Sequence, residues 1–289
     1  MSDKPLVSVL MTAYNCEKYI AQAIESVLES SYQNFELIIV DDSSTDKTFT
    51  IGSVFLKKDA RIKLFKNEYN LGQFANRNKA IELAQGVYVK FLDSDDILMP
   101  NGLEVMINSM MAFPLAGIGV PAKVCFSDKL PYQLTPHDSV LMHYTGENHL
   151  CYGPTATIYK REYLLQTGIF EEQYGILADM LLNIKIASNY STVLFEKNLF
   201  FWRRHSEQIT EEQQDDVKMI RERDIILKAL MAYEHLPLSK KESKKILFNF
   251  LKINTKHFLY YISRARFKDA FQIRRDTGLS IKNVLSTFF

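Results

Sequence analysis

Four short apolar segments in the first hundred residues constrain the fold of this chain more than any other feature. They span residues 7–13, 35–40, 62–65 and 88–92. Each has the length of a strand, and most are nearly continuous in apolar residues, which is typical of strands covered on both faces. Helical patterns lie between them. Strands that alternate with helices predict an α/β fold with a largely parallel, doubly wound sheet flanked by helices.

The helical patterns between the segments are amphipathic. Residues 17–28 place Ile20 and Ile24 on one stripe, as a helix that packs on a sheet requires. Residues 74–84 form a second such pattern, and Gly86 is interpreted as the signal that ends it.

The end of the chain is predicted to be mostly helical. Helices are expected over residues 215–233 and 240–263, with Ser239 as the N-cap of the second. The chain is therefore divided into an α/β domain, residues 1–210, and a helical, basic extension, residues 211–289.

The composition is that of an ordinary globular protein, with 47% hydrophobic and 24% charged residues. The three cysteines include no CxxC pair, so neither a zinc site nor a disulfide framework is indicated. The first residues do not resemble a signal peptide, and no run of about 18 apolar residues occurs. The expectation is a cytoplasmic protein without a spanning helix.

Charge is distributed unevenly along the chain. Residues 240–289 contain twelve basic and three acidic residues, a net charge of +9, which leaves −8 for the rest of a chain whose total is +1. A basic segment interleaved with apolar residues fits a membrane surface or another anionic partner. The alternative is that the apolar residues pack on the α/β domain and the lysines are solvated. Nucleic acid is not expected, because no known binding module accompanies the charge.

A cluster of carboxylates follows the fourth apolar segment, in the sequence FLDSDD of residues 91–96. Ligands of doubly wound sheets bind outside the carboxyl ends of the strands, so this position is significant. Three neighbouring carboxylates repel one another unless a cation or hydrogen bonds compensate. Hard oxygen ligands suit Mg²⁺ or Mn²⁺. The alternative is an acidic turn that caps a helix beginning near Pro100.

A second cluster, Asp41 and Asp42, follows the second apolar segment. A carboxylate at this strand end can accept a hydrogen bond from a base N–H group or a ribose hydroxyl. Ser43, Ser44 or Asp46 could also cap the next helix. Capping does not account for two successive aspartates at the end of a strand.

Together these segments resemble family 2 glycosyltransferases of the GT-A fold. The matching segments, within residues 5–210, are VSVLMTAYN, YIAQAIESVLESSYQNFELIIVDDSSTDKT, NLGQFANRNKAIELAQGVYVKFLDSDDILMP, GPTATIYKRE, TGIFEEQYGILADMLL and FFWRRHSEQIT. Their order and spacing are specific, although each motif alone is weak.

The resemblance implies a set of residues that bind a nucleotide-sugar. Arg77 is expected near the base or phosphates, and Asp93 at the ribose. The full set is Thr12, Ala13, Tyr14, Asp41, Arg77, Asp93 and Ser94.

The resemblance also implies a metal site and a catalytic base. Asp95, the last residue of the DxD motif, would ligate Mn²⁺ or Mg²⁺, and His205 would approach the metal or the pyrophosphate. Asp179 stands where the family places its base. From the residues alone, Asp179 is equally well explained as an exposed helical residue or an N-cap.

The implied reaction is inverting transfer of a sugar from a nucleotide-sugar, with UDP the expected nucleotide, to a hydroxyl of a glycan or polyprenyl-linked acceptor. Such chemistry belongs to bacterial surface polysaccharide or glycoconjugate synthesis, at the inner face of the cytoplasmic membrane. The competing interpretation is a catalytically degenerate relative that binds nucleotide-sugars as a scaffold.

Three residues depart from the family pattern. Thr12 stands where proline is usual, and Ser43 where glycine is usual. Ala178 replaces the glutamate that commonly precedes the base, and this third change is the one that bears on catalysis or acceptor preference.

Overall fold

A computed structural model describes residues 4–123, 130–205, 216–280 and residue 284. Ten strands lie in these ranges. They are β1 Val7–Ala13, β2 Phe35–Asp41, β3 Ile62–Lys66, β4 Tyr88–Phe91, β5 Ile97–Leu98, β6 Ala116–Pro121, β7 Tyr132–Leu134, β8 Ile158–Lys160, β9 Ser191–Phe195 and β10 Phe200–Phe201.

Ten α-helices lie in the same ranges. They are α1 Ile20–Leu28, α2 Thr48–Leu56, α3 Gln73–Leu83, α4 Gly102–Met111, α5 Pro136–Met142, α6 Arg161–Thr167, α7 Ala178–Asn189, α8 Asp216–Met231, α9 Lys240–Ser263 and α10 Phe267–Thr277.

Eight strands form one sheet in the order β3-β2-β1-β4-β8-β6-β9-β7. The first four are parallel to one another, and β6 is parallel to β9. Strand β8 runs antiparallel to both of its neighbours, and β7 is antiparallel to β9. The remaining strands, β5 and β10, pair as a separate antiparallel ribbon. The predicted α/β class is confirmed, and the mixed second half of the sheet adds to it.

The sheet is covered on both faces, which explains the nearly continuous apolar segments. Alternate residues of β1 belong to different cores: Val9 and Met11 pack with α1 and α4, whereas Leu10 packs with α3 and α7. Each buried aliphatic side chain of this kind contributes about 1.5–3 kcal/mol relative to exposure. Burial on both faces therefore selects continuous apolar segments over alternating ones.

The sequence pattern suggested that Gly86 ends a helix, and this prediction is wrong. Helix α3 already ends at Leu83, and the Gly86 N–H group donates to the Ser8 hydroxyl at 2.8 Å. A Cβ atom at residue 86 would lie 2.5 Å from the backbone nitrogen of Ser8. Glycine is required here because the chain entering β4 passes directly against β1.

The extension packs partly on the α/β domain and partly on itself. Ile226 and Leu230 of α8 join the core on the α7 face of the sheet. A separate small core forms within the extension from Ile220, Tyr261, Ala270, Ile273 and Leu279. The proposed boundary at residue 210 lies in 206–215, outside the described residues, and it stays a prediction.

Helix α9 begins as predicted. The Ser239 hydroxyl accepts from the Glu242 N–H group at 3.2 Å, while the Glu242 carboxylate accepts from the Ser239 N–H group at 2.8 Å. This reciprocal capping box satisfies two backbone donors. Across the described ranges, no helix combines the length and the apolar character needed to cross a bilayer.

We expect Gly86→Ala to lower the free energy of unfolding by about 1–3 kcal/mol, the usual range for an overpacked site. The added methyl group meets backbone, which cannot move aside as a flexible side chain does. Gly153→Ala is the matched control, because its φ of −68° suits alanine and a Cβ there meets nothing within 4 Å. Urea denaturation measures both variants, and equal midpoints for the two would contradict the close-approach explanation.

Candidate functional site

The carboxyl ends of β1, β2 and β4 meet at one edge of the sheet. The parallel register places Ala13 beside Asp41. The Asp42 N–H group donates to Ala13 O at 2.8 Å, and Leu92 N–H donates to Leu10 O at 3.0 Å. The residues that follow these strands, which the sequence singled out, therefore lie along the same edge.

The two aspartates that end β2 have different surroundings. The carboxylate of Asp42 accepts three hydrogen bonds, from Asn67 Nδ2 at 2.6 Å, from Leu71 N–H at 2.9 Å and from Gly72 N–H at 3.0 Å. Its acceptor capacity is used to hold the loop between β3 and α3. Asp42 therefore has a structural explanation.

Asp41 is fully buried, and its two oxygens differ in their partners. Its Oδ2 accepts from the Ser44 N–H group at 3.1 Å and lies 3.9 Å from Lys66 Nζ. Its Oδ1 has no hydrogen-bond partner among the described residues. A buried acceptor without a donor is costly, which distinguishes Asp41 from the fully bonded Asp42.

The residues around Asp41 differ in exposure. Ala13 is buried, Thr12 is half-buried and Tyr14 is 51% exposed at the end of β1. The main chain here is tied across the two strand ends, because Asn15 N–H donates to the Ser44 hydroxyl at 3.0 Å. The structure thus places Thr12, Ala13 and Tyr14, which were predicted to bind the nucleotide-sugar, at the same strand ends as Asp41.

Ser43 occupies the left-handed region of backbone conformation, with a φ of 62°. This region favours glycine, since a Cβ atom crowds the backbone there. The turn geometry accounts for the family's usual glycine at this position. It also shows that this chain accepts strain to place serine there.

Arg77 connects two of the predicted site residues. Its Nη2 lies 3.0 Å from Asp93 Oδ1, and its Nη1 lies 3.1 Å from Asp179 Oδ1. The guanidinium is buried, with 9% of the side chain exposed, and lies 5.7 Å from the ring centre of Phe170. Residues from α3, from the turn after β4 and from α7 therefore meet at one buried cation.

The charges in this cluster shift one another's protonation. Burial raises the pKa of Asp179 to about 6, Arg77 opposes that rise and Asp93 adds to it. Burial alone would lower the pKa of Arg77, but the two carboxylates raise it above its ordinary value. The pKa of Asp179 therefore lies above that of an ordinary aspartate in spite of its contact with Arg77.

The segment after β10 is fastened to the acidic turn. His205 Nε2 lies 2.9 Å from Asp95 Oδ2, and the imidazole stacks on Tyr19 with ring centres 4.5 Å apart. The Arg203 N–H group donates to Asp96 Oδ1 at 3.0 Å, and its Nε donates to Asp95 O at 2.8 Å. The structure therefore brings together the two residues predicted to ligate a metal.

The donor set fits a divalent cation whose shell is completed from outside the protein. Within the described residues, no group of three or more His, Cys, Asp or Glu side chains forms a complete metal site. Asp95 and His205 offer one carboxylate and one imidazole. Mg²⁺ is typically held by one or two carboxylates together with waters and substrate phosphates.

Ser94 is buried in the turn after β4. Burial raises the pKa of the Cys16 thiol to about 11, with Ser94 and Thr48 opposing that rise. The assignment of Ser94 to donor binding stays a prediction.

Two buried polar residues beside the site were not predicted from the sequence. Asn183, one helical turn after Asp179, donates to Leu150 O at 3.0 Å and Tyr152 O at 2.9 Å. Lys90, in the middle of β4, donates to Phe91 O at 2.6 Å. The available signal for Lys90 was a lysine inside an otherwise apolar strand.

The family model for glycosyl transferase family 2 matches residues 8–168 of the chain. The chain is 45% identical over 124 residues to the putative teichuronic acid biosynthesis glycosyltransferase TuaG of Bacillus subtilis, covering 42% of this chain and 49% of that protein. It is 45% identical over 109 residues to the UDP-Glc:alpha-D-GlcNAc-diphosphoundecaprenol beta-1,3-glucosyltransferase WfgD of Escherichia coli, covering 38% and 42%. The aligned regions span less than half the length of these relatives.

Solved structures of transferases share the fold. S. aureus TarS 1–349 in complex with UDP-GlcNAc has a TM-score of 0.67 at 19% identity, covering 94% of this chain and 90% of that one. The mannosyltransferase PcManGT of Pyrobaculum calidifontis, in complex with GDP-Man and Mn²⁺, has a TM-score of 0.64 at 17% identity, covering 99% and 80%. At such identities these likenesses support the GT-A fold. Since the family model matches more than half of its length, this chain belongs to glycosyltransferase family 2.

Proposed function

We propose that this protein is an inverting glycosyltransferase that moves a sugar from a UDP-sugar to a hydroxyl of a glycan or lipid-linked acceptor in bacterial surface glycan synthesis. One observation carries the proposal: a buried carboxylate with a raised pKa, Asp179, shares the Arg77 guanidinium with Asp93, at the edge that also presents Asp41 and Asp95. A base and a donor-binding edge are thereby held in one unit.

The unsatisfied oxygen of Asp41 supports a base with an N–H group in its plane. Uracil presents such a donor. The UDP-GlcNAc bound to TarS and the UDP-Glc in the name of WfgD favour the same nucleotide for this chain. The proposal covers either sugar, glucose or N-acetylglucosamine.

Asp95 and His205 are the proposed ligands of Mn²⁺ or Mg²⁺. A cation bound there would offset the negative charge that develops on the departing β-phosphate. The Mn²⁺ in the PcManGT complex supports a divalent ion in this fold. The chain's own contribution is to bring an imidazole and a carboxylate together at the turn after β4.

Asp179 is the proposed general base. It would take the proton of the acceptor hydroxyl as that oxygen attacks the anomeric carbon, while the bond to the nucleoside diphosphate breaks on the opposite side. A single base and one direct displacement invert the anomeric centre. Arg77 keeps Asp179 in place and lowers its pKa against the effect of burial.

The outer face of α9 is the proposed membrane contact. Residues spaced three or four apart lie on one face of a helix, and such a series is exposed here: Lys241, Lys245, Phe248, Lys252, Lys256 and Tyr260. The opposite face contributes Ile246 and Tyr261 to the interior. The buried residues of α9 support packing within the protein, and the exposed series supports the proposed membrane contact.

This face combines the two attractions that hold a helix on an anionic bilayer. Lys252 Nζ lies 4.6 Å from the ring centre of Phe248, so the basic and aromatic groups are intermixed. Phe248 and Tyr260 are 42% and 52% exposed. The undecaprenol-linked acceptor in the name of WfgD favours a position at the inner face of the cytoplasmic membrane.

Asp179→Asn should lower transfer by about 10²–10⁴-fold, the usual contribution of a general base, and should change donor affinity by less than about threefold. UDP release with α-D-GlcNAc-diphosphoundecaprenol as acceptor measures transfer, and calorimetry with UDP-Glc and UDP-GlcNAc in Mn²⁺ measures binding. Glu172→Gln, an exposed carboxylate just before α7, should behave as the wild type. Transfer retained by Asp179→Asn would refute the base assignment. Wild-type protein that binds donor and transfers to no acceptor would favour the scaffold interpretation.

The rate of transfer should depend on pH through Asp179. The active form is the deprotonated base, so log(kcat/KM) should be level above about pH 6 and fall with unit slope below it. Arg77→Met removes the charge that lowers this pKa, so the acid limb should move to higher pH. Steady-state assays at substrate concentrations below KM measure both profiles. If the acid limb of Arg77→Met lies at the same pH as that of the wild type, the limb belongs to a group other than Asp179.

Lys245→Glu, Lys252→Glu and Lys256→Glu together should weaken binding to phosphatidylglycerol vesicles more than tenfold, since each basic residue contributes about 1 kcal/mol near such a surface. Vesicle flotation measures the effect, with phosphatidylcholine vesicles for comparison. The control makes the same change of charge at three exposed lysines elsewhere, Lys47, Lys57 and Lys58. Equal losses in the two triple variants, or no flotation of the wild type, would contradict the assigned face.

A further inference from the structure

Lys90 is a fully buried lysine in the middle of the sheet. It lies on β4, beside Val9 of β1 and Ile158 of β8, and no part of it is exposed. Burying an ammonium group is costly unless its protons have acceptors. Burial lowers the pKa of Lys90 to about 7, although Asp93 and Asp96 oppose that fall. An apolar side chain would serve this strand better if packing were the only requirement.

The ammonium of Lys90 spans a gap between two chain segments. Its Nζ donates to Phe91 O at 2.6 Å and also to Thr155 O, and it lies 5.8 Å from the ring centre of Phe200. Phe91 ends β4, just before the acidic turn. Thr155 belongs to the short 3₁₀ helix Pro154–Ala156, which lies directly before β8. The lysine therefore fixes that turn against the end of β4.

The side chain of Thr155 completes the connection. Its hydroxyl accepts from the Asp93 N–H group at 3.1 Å. The Asp93 carboxylate is held separately by Arg77 at 3.0 Å. Asp93 is thus held at its backbone through Thr155 and at its side chain through Arg77, and Lys90 contacts the residue that makes the first of these bonds.

We propose that Lys90 and Thr155 are positioning residues of the donor site: the buried ammonium holds the Thr155 carbonyl, and the Thr155 hydroxyl fixes the backbone of Asp93. The inference rests on the proposed function in one respect, namely that Asp93 contacts the donor. Both residues are buried, and neither belongs to the proposed donor-binding set. Their effect reaches the donor through the position of Asp93.

Thr155→Val tests the contact, because valine keeps the shape and removes the acceptor for the Asp93 N–H group. In the full chain, calorimetry with UDP and Mn²⁺ should show affinity about tenfold weaker, the equivalent of one hydrogen bond of about 1.4 kcal/mol. Thr155→Ser, which keeps the hydroxyl, should bind UDP within about twofold of the wild type. Thr192→Val is the matched control. It also removes a buried threonine hydroxyl, but that hydroxyl pairs with Ser139 and not with Asp93.

Lys90→Met tests the other half of the connection. If both residues act through Asp93, the double variant Lys90→Met with Thr155→Val should bind UDP no more than about twofold more weakly than Lys90→Met alone. If instead the fold losses of UDP affinity in the two single variants multiply in the double variant, the two residues have independent roles. Thr155→Ser as weak as Thr155→Val, or Thr155→Val with wild-type affinity, would likewise overturn the proposal.

Hydrogen exchange at the Asp93 amide separates this inference from the proposed function. Thr155→Val should speed that exchange about tenfold, and Thr192→Val should leave it unchanged, whatever nucleotide the protein binds. Unaltered exchange in Thr155→Val would refute the connection itself. Faster exchange in a protein that does not bind UDP would refute the choice of nucleotide and keep the connection.

Discussion

The buried guanidinium of Arg77 is the interaction on which the candidate site depends. It lies between Asp93 and Asp179, which come from the end of a strand and the start of a helix far apart in the sequence. Removing one member of a buried charged pair leaves an uncompensated charge and typically costs about 3–5 kcal/mol. The three groups therefore stabilise one another's positions. The proposed donor-binding edge and the proposed base, on a separate helix, are therefore held at a fixed separation by Arg77.

Around this cation, buried polar side chains hold the loops that the sheet alone does not position. Asp42 receives three donors from residues 67–72, and Asn183 donates to the backbone of residues 150–152. Lys90 acts in the same way beneath the acidic turn. Each is buried and uses its hydrogen-bonding capacity on backbone or side chains of a loop. The strands supply a rigid platform, and these residues hold the neighbouring loops, among them the turn with the proposed site residues, against it.

The sequence predicted what depends on local patterns and missed what depends on tertiary neighbours. Continuous apolar segments located the first four strands, and the capping residue Ser239 located α9, because both signals are local. Gly86 was misassigned because glycine is required there by the close approach of the Ser8 backbone, 78 residues earlier in the sequence. Asp41 and Asp42 are equivalent in sequence, and only the donors around them show that Asp42 is fully bonded whereas Asp41 Oδ1 has no donor among the described residues. The mixed half of the sheet lacked a local signal, since β7 and β8 have three residues each.

Ala178 can be weighed by its place on α7. It is 1% exposed and packs in the core on that face of the sheet, whereas the next residue, Asp179, turns toward Arg77. Successive helical residues point about 100° apart. A side chain at position 178 therefore does not point toward Arg77 as Asp179 does. A glutamate at 178 would have to leave this core, or bury a charge within it. In this chain the helix therefore presents one carboxylate to the cluster, which concentrates the proposed proton transfer on Asp179.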